Sequence, residues 1–370
     1  MKYYIIAGEA SGDLHASNLM KALQNIDNHA DFRFWGGDLM AEVGGTLVKH
    51  YRDLAFMGFA EVILNLRTIF KNIKLCKTDI SEFNPDVVIF IDYPGFNFRI
   101  AKWAKAQGFK THYYISPQIW AWKENRIKAI KQDIDEMYVI LPFEKDFYEE
   151  KHNFPVHFVG HPLLDAIKDF KPKSLVDFKK THQLLEKPII ALLPGSRKQE
   201  ISKMLSIMLS VVDDFPDYQF VIAGAPGQEA EFYERFNTKK RVSYVQNKTY
   251  DLLSVSTAAL VTSGTATLET ALFKVPEVVC YKGSFLSYHI AKRIINLEYI
   301  SLVNLIMDKP VVKELIQNEL NTKQLKTELQ KILEGEHRKK LFLDYFKLEQ
   351  KLGGAGASKK TAKLIFEKIQ

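Results

Sequence analysis

Short runs of β-branched and aromatic residues alternate with longer helical stretches along this chain, and glycine-containing turns separate them. That alternation predicts α/β architecture built on parallel sheets. In the first half the strand pattern falls at Tyr3–Ala7, Phe32–Trp35, Val87–Ile91, Thr111–Ile115, Glu136–Leu141 and His157–Val159, with helices between them such as Ser11–Gln24 and Phe98–Gln107. Near Gly160-His161-Pro162 the pattern pauses, and a polar, Lys-rich stretch runs from Asp169 to Lys187. A second series then gives strands at Ile189–Leu193, Gln219–Ala223, Val242–Val245, Ala259–Thr262 and Val278–Tyr281. With 370 residues, the chain suits two domains of common size. The expected division is 1–165, 166–340 and a C-terminal helical part, 341–370. In that last part Gly353 to Ser358 is a flexible break and Ser358 caps the final helix. Those helices either pack back on the first domain or cross to a partner chain, which would make a homodimer. Two doubly wound, Rossmann-like domains facing across a crevice would bind ligands outside the carboxyl ends of their strands.

The turns after those strands carry the chemistry. Val261-Thr262-Ser263-Gly264-Thr265-Ala266-Thr267-Leu268-Glu269 runs from a strand through small residues into a helix. A helix start offers unpaired N–H groups and the positive end of a dipole, which suits a diphosphate. Gly264 permits close approach, Ser263 and Thr265 add hydroxyls, and Glu269 lies where it can meet a ribose. An ordinary capped βα turn has the same residues. Leu193-Pro194-Gly195-Ser196-Arg197-Lys198-Gln199 repeats the plan. Ser196 with Gln199 reads as a capping box. A cation at a helix start opposes the dipole, so Arg197 points to an anion, the leaving phosphate.

Two further turns belong to the first half. Ala7-Gly8-Glu9-Ala10-Ser11-Gly12-Asp13 lacks the three-glycine dinucleotide spacing, and its acids suit sugar hydroxyls better than phosphates. Capping by Ser11 or Asp13 explains it equally well. Ile89-Phe90-Ile91-Asp92-Tyr93-Pro94-Gly95-Phe96-Asn97 ends a very apolar strand on Asp92. A carboxylate there is either a general base with a raised pKa or an Asx turn before Pro94.

Composition bounds the partners. Lys and Arg outnumber Asp and Glu by 51 to 44, a balance that fits an anionic ligand or surface. Cys76 and Cys280 read as buried free thiols. No uncharged apolar stretch reaches a spanning length, so membrane contact is expected to be peripheral. Met57 to Leu75 places Ile63, Leu66, Phe70 and Ile73 on one helical face and Arg67, Lys71 and Lys74 on another. Such a helix either lies on a membrane or packs on its own domain. Trp120, Trp122, Lys123 and Arg126 either meet an acceptor sugar phosphate or, for the two indoles, join the core. Asp133-Ile134-Asp135 spells a metal pattern, but it stands before a strand, at the amino end of the sheet, and the histidines show no zinc spacing, so no metal and no cofactor are expected.

Taken in order, these segments resemble the lipid-A-disaccharide synthase family. Tyr114-Ile115-Ser116-Pro117-Gln118-Ile119-Trp120-Ala121-Trp122, Leu141-Pro142-Phe143-Glu144 and Phe158-Val159-Gly160-His161-Pro162 add to the four turns. The resemblance implies a GT-B fold and an inverting transfer from UDP-2,3-diacylglucosamine to the 6-hydroxyl of 2,3-diacylglucosamine 1-phosphate. It implies a cytoplasmic enzyme, peripheral on the inner membrane of a Gram-negative cell, with no nucleic-acid partner. It implies Asp92 as base, with Glu9 and Arg197 in the active site. UDP contacts are expected from Gly195, Ser196, Arg197, Ser263, Gly264, Thr265, Ala266, Glu269 and Asn304, the last by resemblance alone. Acceptor and lipid contacts are expected from Ser11, Asp13, Trp122, Lys123, Arg126, Ile63, Leu66, Ile69 and Phe70. Where the family has a second acid after Asp92, this chain has Gly95, which removes a competitor for the base. The Lys-rich hinge and the Gly224-Ala225-Pro226-Gly227 region match poorly. Other UDP-sugar transferases or epimerases, a Rossmann oxidoreductase lacking its glycine fingerprint, and a membrane-surface binding module are the competing readings.

Overall fold

The computed structural model describes residues 1–54, 66–225, 228–236, 241–283 and 298–370. The chain forms two compact units, Met1–Asp165 with Leu352–Gln370, and Ala166–Lys351.

The first unit holds a parallel sheet in the order β3-β2-β1-β4-β5-β6-β7. Its strands are β1 (Lys2–Ala7), β2 (Asp31–Gly36), β3 (Thr46–His50), β4 (Val87–Ile91), β5 (Lys110–Tyr114), β6 (Glu136–Val139) and β7 (His157–Phe158). The central strands β1 and β4 are buried from Tyr3 to Ala7 and from Val87 to Ile91. That is why they read as unbroken apolar runs rather than alternating ones: helices cover both faces. In the second unit the order is β10-β9-β8-β11-β12-β13. Its strands are β8 (Ile189–Leu193), β9 (Gln219–Gly224), β10 (Ser243–Gln246), β11 (Ala258–Thr262), β12 (Glu277–Tyr281) and β13 (Lys313–Ile316), again all parallel.

In each sheet the strand order reverses once. The chain builds outward from β1 through β2 to β3, then returns to start β4 on the other side of β1. It does the same around β8 and β11. The turns leaving β1, β4, β8 and β11 are the four glycine turns of the sequence, so all of them lie at topological switch points, where doubly wound sheets bind ligands.

Two edge strands have no counterpart in the sequence reading. Thr46-Leu47-Val48-Lys49-His50 and Lys313-Glu314-Leu315-Ile316 pair on one side only and carry polar residues, so they lack the apolar signature of the interior strands.

The carboxyl-terminal part also differs from expectation. The helix Gly335–Lys351 belongs to the second unit, and only residues from Leu352 onward return to the first. The last helix, Ala357–Ile369, buries Ala357, Thr361, Ala362 and Ile365, and packs against the helix Ala10–Gln24. Ser358 does not cap it. Asp165 does so from far away in the chain, accepting from the backbone N–H of Gly356 and, at 2.9 Å, of Ser358.

The helix expected to end at Leu75 runs on as Leu66–Phe83, and Ile63 lies outside the described residues, as do Pro226 and Gly227. Its buried stripe is Ile73, Cys76 and Ile80, with Ile69 packed partly buried against the same core. Phe70 falls off that stripe and is 65% exposed. The single apolar face read from sequence therefore splits into a core stripe and a solvent-facing aromatic flanked by the exposed Arg67, Lys71 and Lys74. Among the described residues no helix is long and apolar enough to cross a membrane.

Candidate active site

In the first unit the site is built from the turns after β1 and β4, which pair in register at Ala7 and Ile91. Asp92 and Tyr93 both adopt left-handed backbone, with φ of +43° and +48°. For residues other than glycine this costs on the order of 1–3 kcal/mol each and persists only where neighbours hold it. Here the Asp92 carbonyl is clamped: it accepts from the Tyr113 hydroxyl at 2.5 Å and from Asn97 Nδ2 at 2.7 Å. The turn lets the Tyr93 ring lie over Gly8, so close that a Cβ at Gly8 would stand 2.3 Å from it.

Asp92 is half-buried at this strained corner. Burial pushes its carboxyl up to about 6, the negative charge of Glu9 pushes the same way, and the Tyr93 backbone N–H opposes both. Glu9 is exposed and forms the N-cap of Ala10–Gln24 without a side-chain cap bond. Ser11, in the first turn of that helix, is also exposed. Asp13 has a different task from the expected acceptor contact. It is buried, and its oxygens accept from the backbone N–H groups of Gly37, Leu39 and Met40, capping the next helix, Asp38–Val43.

The Ser116–Trp122 segment is organised by Glu144, which stands within a family segment of the sequence but is given no role there. This buried carboxylate accepts from Ser116 Oγ at 3.0 Å, Trp120 Nε1 at 3.1 Å, and the backbone N–H groups of Ile140 and Leu141. Burial raises its pKa to about 7 against the pull of those donors. The available signal was Glu144 standing at the third helical position after Leu141, where a carboxylate reaches back to free N–H groups. Trp120 is thus committed to the scaffold, edge-on to Phe143. Trp122 is 44% exposed, with Lys123 Nζ at 4.1 Å and the Arg126 guanidinium at 5.8 Å from its ring.

A pocket of about 550 Å³ opens beside the Asp92 turn. Leu54, Ile69, Tyr93, Phe96 and Phe98 supply apolar wall, and Arg99, Arg126 and Asn72 supply the polar groups. Leu66 opens the helix that carries Ile69, and Phe70 follows on its exposed side.

In the second unit the turns after β8 and β11 each pass through glycine. Gly195 has φ of +105°, and a Cβ there would stand 3.0 Å from Glu200 Oε2. Arg197, not Ser196, is the N-cap of the helix Lys198–Leu209, and no side chain caps it, so the expected capping box is absent. Its side chain is 68% exposed, 3.9 Å from Glu200. Gly264, at φ of +153°, is the N-cap of Thr265–Leu272, again with no side-chain cap, and a Cβ there would meet nothing. Among the described residues, both helix starts therefore leave N–H groups uncapped by side chains, with Thr265 exposed and Ala266 half-buried beside one of them.

Three neighbours fix this second turn. Ser263 Oγ donates to the Ile300 carbonyl at 2.9 Å. Glu269 accepts from the Tyr250 hydroxyl at 3.0 Å, and burial raises its pKa while that bond opposes the rise. Asn304 is buried with its amide fully engaged: Nδ2 donates to the Val312 carbonyl and Glu314, and Oδ1 accepts from Val311 and Val312. Glu314 in turn accepts from the N–H groups of Ile300 and Ser301. Asn304 thus reaches the motif through Glu314 and Ile300 rather than by an unused amide. Glu314 and Tyr250 were not legible as site residues. The metal-like Asp135 lies just before β6, bound to Lys105 and to the Thr111 N–H and hydroxyl.

Comparison with known proteins adds to this geometry. The family model described as Lipid-A-disaccharide synthetase matches residues 3–367. The chain is 36% identical to the lipid-A-disaccharide synthase of Geobacter metallireducens, over 99% of this chain and 96% of that protein. It is 36% identical to that of Coxiella burnetii, over 99% and 98%. Among solved structures, UDP-GlcNAc 2-epimerase from Neisseria meningitidis bound to UDP-GlcNAc superposes with a TM-score of 0.69 at 13% identity, covering 99% of this chain and 100% of that one. The glycotransferase of kitacinnamycin gives 0.67 at 13%, covering 100% and 99%. At that identity the likeness is one of fold, the GT-B plan.

Proposed function

The chain belongs to the lipid-A-disaccharide synthase family of glycosyltransferases, and on that premise we propose that it joins UDP-2,3-diacylglucosamine to 2,3-diacylglucosamine 1-phosphate with inversion. The observation that carries the reading is Asp92: a half-buried carboxylate with its pKa raised to about 6, on a strained turn at a switch point. A base whose pKa lies near the working pH removes a proton efficiently.

In the proposed step the acceptor 6-hydroxyl gives its proton to Asp92. Its oxygen bonds the donor's anomeric carbon on the face opposite UDP, and the bond to UDP breaks with its electron pair leaving on the diphosphate. UDP is a good leaving group and needs no general acid. Its developing charge is met by Arg197 and by the uncapped helix starts at Gly264 and Arg197, in the region of Gly195, Ser196, Thr265 and Ala266. Glu269 binds the ribose, with Tyr250 orienting it. Glu9 tunes Asp92, and Trp122, Lys123 and Arg126 take the acceptor. Ser11 is a further acceptor contact. Ile69, exposed Phe70 and the cations beside it hold the enzyme at an anionic membrane surface. Asp13, as a cap, and Asn304, as a bracket, support the acceptor and UDP contacts.

The test is to mix both acylated sugars with the protein in EDTA and follow UDP and the disaccharide 1-phosphate. Both should appear one for one. Turnover of the UDP-sugar alone, or release of UDP without a disaccharide, would assign another reaction.

A further inference from the structure

The pocket beside Asp92 has two features that a mere packing defect does not need. Its walls are mostly carbon, yet two guanidinium groups line it, Arg99 and Arg126. Arg99 Nη1 donates to the Gly95 carbonyl at 3.0 Å, and Arg126 lies over the rings of Phe98 and Trp122. Among the described residues no carboxylate stands within salt-bridge distance of either. Two unneutralised cations around one pocket repel each other until an anion enters. Asn72, 7% exposed, adds an amide to the same lining.

We propose that this pocket binds a phosphorylated acyl amphiphile, with an acyl chain against Leu54, Ile69, Phe96 and Phe98 and the phosphate held by Arg99 and Arg126. A pocket of about 550 Å³ falls within the range of roughly 300–1,000 Å³ usual for small-molecule sites. Guanidinium forks match phosphate oxygens in pairs, which a single lysine cannot do. The wall formed by Tyr93, Pro94 and Gly95 follows Asp92 directly, so the ligand is held next to the proposed base. The assignment rests on the transferase reading in naming this ligand as the acceptor, and makes Arg99 a specificity-determining residue for its phosphate. The pocket and its charges stand without that reading.

The experiment uses the full chain, calorimetry, and three probes below their micelle concentrations: dodecyl phosphate, dodecyl maltoside and inorganic phosphate. Dodecyl phosphate should bind at least a hundredfold tighter than inorganic phosphate. Arg99→Gln and Arg126→Gln should each weaken it tenfold or more and leave dodecyl maltoside and UDP affinities within twofold. Ala129→Trp, which fills the pocket, should weaken both amphiphiles. Equal affinity for dodecyl phosphate and inorganic phosphate, or no loss in either arginine variant, overturns the proposal. With the two acylated sugars, Arg99→Gln should raise the acceptor KM tenfold or more and leave the donor KM unchanged. Normal turnover with an unchanged acceptor KM would remove the pocket and spare the transferase reading. Dodecyl phosphate binding as expected in a protein that never joins the sugars would remove that reading and spare the pocket.

Discussion

Asp92 holds a left-handed backbone, and Tyr113 and Asn97 both bond its carbonyl. The side chain is left with the Tyr93 backbone N–H as its bond within the turn, and its protonation becomes the quantity to measure. Because burial and Glu9 both raise its pKa to about 6, the proposed base is charged above that pH and lost below it. The rate should therefore fall on the acid side near pH 6. Removing the negative charge of Glu9 should lower the Asp92 pKa, so Glu9→Gln should move that limb to lower pH. A pH–rate profile whose limb stays fixed, or moves up, would separate Glu9 from Asp92. The Asp92 candidacy is legible in sequence because an acid ends an apolar strand. The tasks of Asp13 and Asn304 are not. Their partners, Gly37 to Met40 and Val311 to Glu314, lie in segments that carry no local signal of contact with them.

At the scale of elements, glycine turns after interior strands are the part of the site that sequence shows best. Gly195 and Gly264 are at positive φ, which sequence registers as glycine followed by a helix. Gly264 lies where only glycine is comfortable, so Gly264→Ala should cost on the order of 1–3 kcal/mol in backbone strain. For a unit of this size that lowers the melting temperature by roughly 2–4 °C per kcal/mol. UDP affinity should fall with it, and calorimetry that finds UDP binding intact would remove this helix start from the diphosphate site. What sequence reads least well is the face of an amphipathic helix. Phe70 shares a pattern with Ile73, yet one is exposed and the other buried, because a ~100° turn per residue leaves positions three apart on the edge of one stripe. Transferring a phenylalanine out of water is worth ~1.5–3 kcal/mol, so Phe70→Ser should reduce binding to anionic vesicles about tenfold or more. Unchanged flotation with such vesicles would return this helix to an ordinary surface role.

At the scale of the whole chain, the polypeptide leaves the first unit after Asp165 and returns to it at Leu352. Sequence marks the first crossing through the polar stretch after Pro162. It marks the second through Gly353-Gly354, but not the side to which the preceding helix belongs, since that depends on Lys274 and Lys309 binding Glu349 and Asp344. Asp165 stands at the first crossing and caps the returning helix. Asp165→Ala should cost ~1–2 kcal/mol, the usual loss for an N-cap. Amide exchange should quicken across 357–369 and stay unchanged in 189–262. Uniform quickening would mean that Asp165 supports both units rather than one helix.

The proposed division of labour, a base in one unit and UDP binding in the other, is tested most directly by Asp92→Asn. Turnover of the two acylated sugars and UDP affinity are to be measured on the same preparation. A loss of turnover of 10²-fold or more, with UDP affinity within twofold of the parent protein, is the predicted result. Near-normal turnover in that variant, or loss of UDP binding together with turnover, would contradict it.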